Sequence, residues 1–296
     1  MKKLITAVIA FIAVCTAAAV YLERKYIRTS GRNKALGVTK ENNEWIANTN
    51  HEDTYMIARD GVCLHGIVFD NGSDNWILAV HGYDSDLRAM AGNARRFIEA
   101  GYSVFLPDMR SFGMSGDTHT TMGYLEKYDV SDWINKLMSE YKVKSIILYG
   151  ISMGAATVML TAGETLPDTV KAVVEDCGYS SVREEYEYQM KRLVHLPPYP
   201  ILWICDLITR YKKGWSLLND CNCVNAVKHT QVPVLFIHGA SDTFVPFYMQ
   251  DKLYNACGRP DKEKLVIPGA DHAEAEKKDP ELYWKTVLAF IDKHIN

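Results

Sequence analysis

Gly150-Ile151-Ser152-Met153-Gly154 sets a serine between two glycines, where the apolar run from Ser145 gives way to a small-residue helical stretch. A strand, a sharp turn and a helix in that order make an elbow. The serine sits on strained backbone with its hydroxyl above the sheet, and the glycines give the crossing backbones room. The helix that follows aims backbone N–H groups at the place where an oxyanion would form. This is chemistry for nucleophilic attack on an acyl carbon. The five-residue pattern is weak by itself, so the elements around it decide its meaning.

Thr54 to Ala58 and Val62 to Phe69 read as a hairpin about Arg59-Asp60-Gly61. Trp76 to Val80, Ser103 to Leu106, the run from Ser145, Val170 to Glu175, Val234 to His238 and Lys264 to Ile267 follow as short apolar strands. Helical spacing covers Asp86 to Ala100, Val130 to Tyr141, the stretch from the elbow through Leu166, and Glu281 to His294. Such alternation predicts an α/β fold, a mostly parallel eight-stranded sheet with helices on both faces. Between the sixth and seventh strands, the roughly fifty residues from Gly178 to Gln231 are too many for a plain connection and predict a helical cap insertion, about 178–231. Within it, Val182 to Val194 and Ile201 to Tyr211 read as helices about a rigid break, His195-Leu196-Pro197-Pro198-Tyr199-Pro200.

The chain has 296 residues, 48% hydrophobic and 23% charged, which suits a folded domain rather than a disordered one. A formal net charge of -3 lacks the basic field that collects nucleic acid. The seven cysteines include no C-x-x-C pair, and Cys221-Asn222-Cys223 is too close for a zinc knuckle, so no metal site is expected. Six of the cysteines lie outside the N-terminal segment and are free in principle to pair, although an odd total does not resemble a disulfide framework.

At the N-terminus, Leu4 to Leu22 carry no charge, between Lys2-Lys3 and Glu23-Arg24-Lys25. Such a helix rises roughly 28 Å, about one hydrocarbon thickness. A single-pass membrane anchor is the expectation, with a cleaved signal peptide as the rival because Ala17-Ala18-Ala19 resembles a cleavage site. Arg24, Lys25, Arg28, Arg32 and Lys34 favour a cytoplasmic domain, whereas the signal-like anatomy favours export. The expected division is an anchor over 1–22, a tether or short helix over 23–52, and one domain over 53–296.

Over residues 53–294 the chain resembles serine hydrolases of the α/β-hydrolase fold, and more loosely the bacterial membrane-tethered group related to the Bem46 and acyl-peptidase-like proteins. The resemblance rests on five motifs in order. They are His81-Gly82, Pro107-Asp108-x-Arg110-x-x-Gly113-x-Ser115-Gly116, the elbow, His238-Gly239-x-x-Asp242-x-x-Val245-Pro246, and Gly269-Ala270-Asp271-His272. It implies a catalytic triad of Ser152, His272 as base and Asp242 as acid, in the chain order of this fold. A serine needs an imidazole to take its proton, and the imidazole needs a carboxylate to fix its tautomer. Asp176, at the end of the sixth strand, and Asp271 compete for the role of acid. The backbone N–H groups of Tyr83 and Met153 are the expected oxyanion hole. His81 is expected to brace its loop, and Asp108 and Arg110 to tie theirs by an ion pair.

The implied reaction is hydrolysis of an ester, thioester or amide through an acyl-enzyme without a cofactor. The alternatives are an acyltransferase, a peptidase, or a binding protein on the same fold. Most of the cap aromatics are expected to pack the cap on the core, and some of Tyr199, Trp203 and Trp215 to line an apolar channel for a hydrophobic acyl substrate.

Overall fold

Strand side chains alternate between two apolar clusters, so the sheet is covered twice. In the computed structural model, which describes residues 2–27, 35–195 and 197–295, eight strands form one sheet. They are β1 (Glu52–Ile57), β2 (Cys63–Phe69), β3 (Asn75–Val80), β4 (Ser103–Pro107), β5 (Ser145–Ile151), β6 (Val170–Asp176), β7 (Val234–Gly239) and β8 (Glu263–Ile267). Their spatial order is β1-β2-β4-β3-β5-β6-β7-β8. β2 pairs antiparallel with β1 and β4, and the remaining neighbours are parallel. In the central strand, Ile146 and Leu148 enter one cluster while Ile147 and Tyr149 enter the other. That two-residue period, apolar on both sides, is what a strand buried on both faces requires.

The helices are α1 (Lys2–Leu22), α2 (Lys40–Asn48), α3 (Ala91–Glu99), α4 (Glu126–Glu140), α5 (Met153–Ala162), α6 (Val182–Gln189), α7 (Ile201–Lys213), α8 (Cys223–His229), α9 (Tyr248–Ala256), α10 (Ala275–Lys278) and α11 (Pro280–Ile295). α3, α10 and α11 cover one face of the sheet, and α4, α5, α8 and α9 the other. α5 stops at Gly163, short of the expected Leu166. A Cβ at Gly163 would lie 2.8 Å from Ala226, so α8 approaches too closely there for any side chain. The helix expected from Asp86 starts as a tighter turn, Leu87–Met90, capped by the Asp86 carboxylate on the Arg88 N–H. α4 begins at Glu126, before the apolar positions, because Glu126 turns inward and accepts from the N–H groups of Thr121 and Gly123.

The insertion is helical, with α6, α7 and α8 between β6 and β7. α6 ends at Gln189 and a wider turn, Met190–Val194, completes the expected helix. Leu196 of the expected break, and Arg28, Arg32 and Lys34 of the expected tether, lie outside the described residues. All seven cysteines are free thiols.

α1 is long and apolar enough to cross a membrane, and it continues as one wider turn through Ile27. Its buried positions are Cys15, Ala19, Glu23 and Ile27, spaced four apart, which is one helix face. That face lies on α7, where the Cys205 thiol donates to the Ala19 carbonyl at 3.6 Å and Lys212 Nζ stands 2.9 Å from Glu23 Oε1. The Tyr83 hydroxyl donates to the Tyr26 carbonyl and the Thr120 N–H to that of Ile27, both at 3.0 Å. Glu23 to Ile27, expected as tether, are therefore packed against the hydrolase-like domain.

Candidate active site

Ser152 occupies the turn between β5 and α5 with φ 57° and ψ -117°, a left-handed conformation that L side chains rarely adopt. Its N–H donates to the Asp176 carbonyl at 2.8 Å and its carbonyl accepts from Ala156, so the strained residue is held from both sides. A Cβ at Gly150 would lie 2.4 Å from the Gly154 backbone, and one at Gly154 would lie 2.1 Å from the Val80 carbonyl oxygen. Both glycines are required by close backbone approach, as the elbow pattern predicts.

Two further strand ends bring the partners. The turn after β7 wraps the Asp242 carboxylate, whose Oδ1 accepts from the N–H groups of Phe244 at 2.8 Å and Val245 at 2.9 Å. The loop after β8 presents His272, with its N–H donating to Asp271 Oδ1. The two loops are joined by the Ser241 N–H donating to the Ala270 carbonyl at 2.9 Å. His272 Nε2 is 2.9 Å from Ser152 Oγ and His272 Nδ1 is 2.8 Å from Asp242 Oδ2. Ser152, His272 and Asp242 thus form one hydrogen-bonded chain at the carboxyl ends of the strands, where parallel sheets place ligand sites.

Asp242 has a second imidazole that sequence reasoning does not assign. His238 Nε2 lies 3.2 Å from Asp242 Oδ2 and 2.9 Å from the Val245 carbonyl. The signal is present in the four-residue spacing of His238 and Asp242, a pattern that points first to the acid alone. Burial works against ionisation of Asp242, and the hydrogen bonds from His238 and His272 outweigh it, holding the carboxyl down at about 2.

Asp176 is occupied elsewhere. Its Oδ2 accepts from the Tyr283 hydroxyl at 2.9 Å, and Tyr283 is bonded in turn to Tyr149. Burial pushes the Asp176 carboxyl up to about 6, and its side-chain partner among the described residues is the Tyr283 hydroxyl, whereas the His272 ring meets Asp242. Asp271 bonds the backbone of the histidine rather than its ring.

Cys177 Sγ, the Asp242 carboxylate and the His272 ring lie within 4.8 Å of one another, the one His/Cys/Asp/Glu grouping of metal-binding proximity among the described residues. Burial raises the Cys177 thiol well above its ordinary range, which opposes the thiolate that a metal would need. We assign no ion to it.

Tyr83 and Met153 border the same cleft as Ser152, and Met153 opens α5, so its N–H belongs to the free first turn of the helix. His81 is buried. The Met109 N–H donates to its Nε2 at 3.0 Å, which leaves Nδ1 as the protonated nitrogen, donating to the Gly82 carbonyl at 2.8 Å. Nε2 joins the loops after β3 and β4 while Nδ1 is held within its own loop, a bracing role.

The ion pair expected between Asp108 and Arg110 is not found among the described residues. Asp108 turns under its loop to meet His65 Nδ1 at 2.8 Å and to accept from the N–H groups of Leu87 and Met114. Arg110 forks onto Asp129 at 2.6 and 2.7 Å and reaches Asp60 at 2.8 Å. Residues two apart in this loop face opposite ways, and each finds partners from distant segments.

The cleft over Ser152 holds about 970 Å³ of empty space, part of it open solvent at its mouth. Its walls include Leu22 at the end of α1 with Tyr26 and Ile27 of the turn that continues it, Tyr179, Tyr186, Met190, Leu202 and Leu217 of the insertion, and Met122 and Val245. The aromatic side chains expected to line it do not. Trp215 is fully buried and stacked on Tyr124 at 6.2 Å, and Trp203 faces outward with Tyr199 against its ring. α7 turns Leu202 and Cys205 inward, and a helix that does so must carry residue 203 away from the cleft.

One polar island interrupts the apolar wall. Glu185 Oε2, the Tyr186 hydroxyl and Gln189 Oε1 are buried without hydrogen bonds among the described residues, while Gln189 Nε2 donates to Glu185 Oε1 at 2.8 Å. Burial pushes the Glu185 carboxyl up to about 8. Below its ordinary range near 4.5 the group is neutral whether folded or unfolded, and its ionisation then contributes nothing to the stability difference. Between there and about 8 the folded chain retains a proton that the unfolded chain releases, which costs about 1.4 kcal/mol per pH unit. Glu185→Gln is therefore expected to raise the melting temperature by several degrees at pH 8 and hardly at all at pH 4.5. Thermal scans of both proteins across that range check it, and a pH-independent difference would contradict it.

The chain is similar to several known proteins. A family model described as "Serine aminopeptidase, S33" matches residues 72–208, a span that holds the elbow but neither Asp242 nor His272. YqkD of Bacillus subtilis is 27% identical over 226 residues, 76% of this chain and 73% of that protein. A Saccharomyces cerevisiae protein described as a membrane protein, YNL320W, is 25% identical over 68% of this chain and 67% of its own length. Among solved structures, the Pyrococcus furiosus esterase Pf2001 superposes with a TM-score of 0.74 at 24% identity, covering 92% of this chain and all of that one.

Proposed function

This chain is an α/β-hydrolase, and we propose that it is a membrane-anchored serine hydrolase that cleaves a carboxylic ester, or a thioester or amide, of a hydrophobic acyl group. The observation that supports this reading is the chain Asp242–His272–Ser152 opening into an apolar cleft. Ser152 Oγ attacks the carbonyl carbon as His272 Nε2 takes its proton. The carbonyl oxygen becomes an oxyanion beside the backbone N–H groups of Tyr83 and Met153. Collapse breaks the bond to the leaving group, which departs with the proton from His272 and leaves an acyl-enzyme on Ser152. Water then repeats the sequence, releasing a carboxylic acid and restoring the serine.

Asp242 remains ionised throughout, fixing the proton on His272 Nδ1 and balancing the imidazolium. His238 and the Phe244 and Val245 N–H groups hold that carboxylate in place. The apolar cleft walls suit an acyl chain, and the Pyrococcus furiosus neighbour is described as an esterase, which favours an ester. The description of the family model as a serine aminopeptidase favours an amide as the second reading. α1 would anchor the chain in the membrane, in keeping with the description of the yeast relative.

The test is labelling of the detergent-solubilised full chain with a fluorophosphonate probe, followed by mapping of the modified peptide. The expected adduct lies on Ser152, and rates on chromogenic esters should then exceed those on aminoacyl amides of the same acyl length. Labelling with amides preferred would favour the peptidase reading. Folded protein that takes up no probe would move the chain to the binding-protein class.

A further inference from the structure

α7 has two faces. Ile201, Leu202, Cys205 and Thr209 are buried, whereas Trp203, Leu207 and Tyr211, one turn apart, are 62%, 67% and 91% exposed. Apart from the Tyr199 ring against Trp203, nothing among the described residues covers this row of large apolar and aromatic side chains, and it calls for an occupant. Its position names one. The inner face of α7 packs on Cys15, Ala19 and Glu23 of the N-terminal helix, with the Cys205 thiol on the Ala19 carbonyl and Lys212 on Glu23. Ala19 and Leu22 are in the last turn of the apolar segment, the level at which a helix crossing the bilayer leaves the hydrocarbon. Packed helices lie about 8–10 Å apart, so α7 cannot be more than one helix diameter from the lipid that surrounds α1. Tryptophan and tyrosine favour that boundary because they present an apolar body and a polar tip.

The same two helices also build the cleft. Leu22, Tyr26 and Ile27 line it from one, and Leu202, Cys205 and Thr209 from the other. Leu193, in the wider turn that completes α6, lines the cleft while 54% exposed, which places it on the rim. We propose that the outer face of α7 is a second membrane contact, seated at the headgroup boundary beside α1, so that the cleft opens toward the bilayer and takes its substrate, an acyl ester of a membrane lipid, laterally. This rests on the hydrolase and anchor readings above and adds to them the source of the substrate and the surface that meets it.

The experiment uses the full chain reconstituted in phosphatidylcholine vesicles. Lipids brominated in their acyl chains quench nearby tryptophan, and the native protein is expected to lose a share of its emission that Trp203→Phe lacks. The double variant Leu207→Glu, Tyr211→Glu should remove that quenching. It should also slow hydrolysis of a long-chain p-nitrophenyl ester held in the vesicles by about tenfold or more, while p-nitrophenyl acetate in solution stays within about twofold. Neither side chain belongs to the cleft, so a change confined to the vesicle substrate reports membrane contact.

Equal quenching in native protein and Trp203→Phe, or the same fold-change in rate on both esters for the double variant relative to native protein, would overturn the inference. If the native protein turned over neither ester, the hydrolase reading would fail while the quenching still decided the membrane contact. Absence of quenching together with a sedimentation shift lost in the double variant would assign the face to a second copy of the chain, which also overturns it.

Discussion

Asp242→Asn is expected to lower kcat by about 10⁴-fold on any ester the protein turns over, with the fold kept at a lowered melting temperature, because the carboxylate that His238 and His272 stabilise is lost. The direction follows from which oxygen is pinned. Oδ1 accepts two backbone N–H groups, from Phe244 and Val245, so an amide at this position must keep its oxygen there. Its NH2 then faces His272 Nδ1, which has to become an acceptor. The proton moves to Nε2, and the ring can no longer accept from Ser152 Oγ. Asp176→Asn is the matched control. Its carboxyl, already pushed up to about 6, accepts from Tyr283, and an amide oxygen accepts there equally well. Activity should be little changed. Steady-state rates of the two variants decide between the acids, and a loss of similar size in Asp176→Asn would reassign the role.

The contrast also shows which parts of the site are legible in a sequence. Ser152, Asp242 and His272 each follow a short apolar strand and sit in a turn with its own glycine spacing, so local pattern carries both the residue and its place. Asp242 is preferred to Asp176 for the same reason, because the His-Gly-x-x-Asp turn is a local device. What escapes is whatever depends on distant segments meeting. The shortest ion pairs of Arg110 are to Asp60 and Asp129, fifty and nineteen residues away, and no spacing rule pairs them. Residue type alone assigns some of the cap aromatics to the cleft, but the rotation of α7, set by its packing on α1, turns Leu202 and Cys205 inward and Trp203 out. A uniformly apolar segment hides its packed face altogether. Nothing distinguishes Cys15 and Ala19 from their neighbours until α7 lies against them.

Gly154→Ala tests the elbow as architecture, and its expected result is loss of at least about 4 kcal/mol of stability, enough to keep the protein from accumulating folded. An added Cβ would stand 2.1 Å from the Val80 carbonyl oxygen, 2.6 Å from that of His81 and 2.7 Å from the Val80 carbonyl carbon. These are backbone atoms of a strand locked on both sides, since β3 pairs with β5 and β4, and Val80 itself stands opposite Gly150. No rotamer relieves the contact. α5 would have to lift from β3 by more than an ångström, roughly the difference between such a contact and van der Waals distance, and it would carry the first-turn N–H groups of Met153 with it. Gly92→Ala is the control for glycine substitution as such. That residue lies in α3 with open space around its Cα, and alanine there should stabilise by about 0.5–1 kcal/mol. Denaturant unfolding of the two variants beside the native chain measures both signs. An unchanged midpoint for Gly154→Ala would mean that the strand and helix tolerate separation, and the elbow would lose its claim to hold Ser152 by close backbone contact.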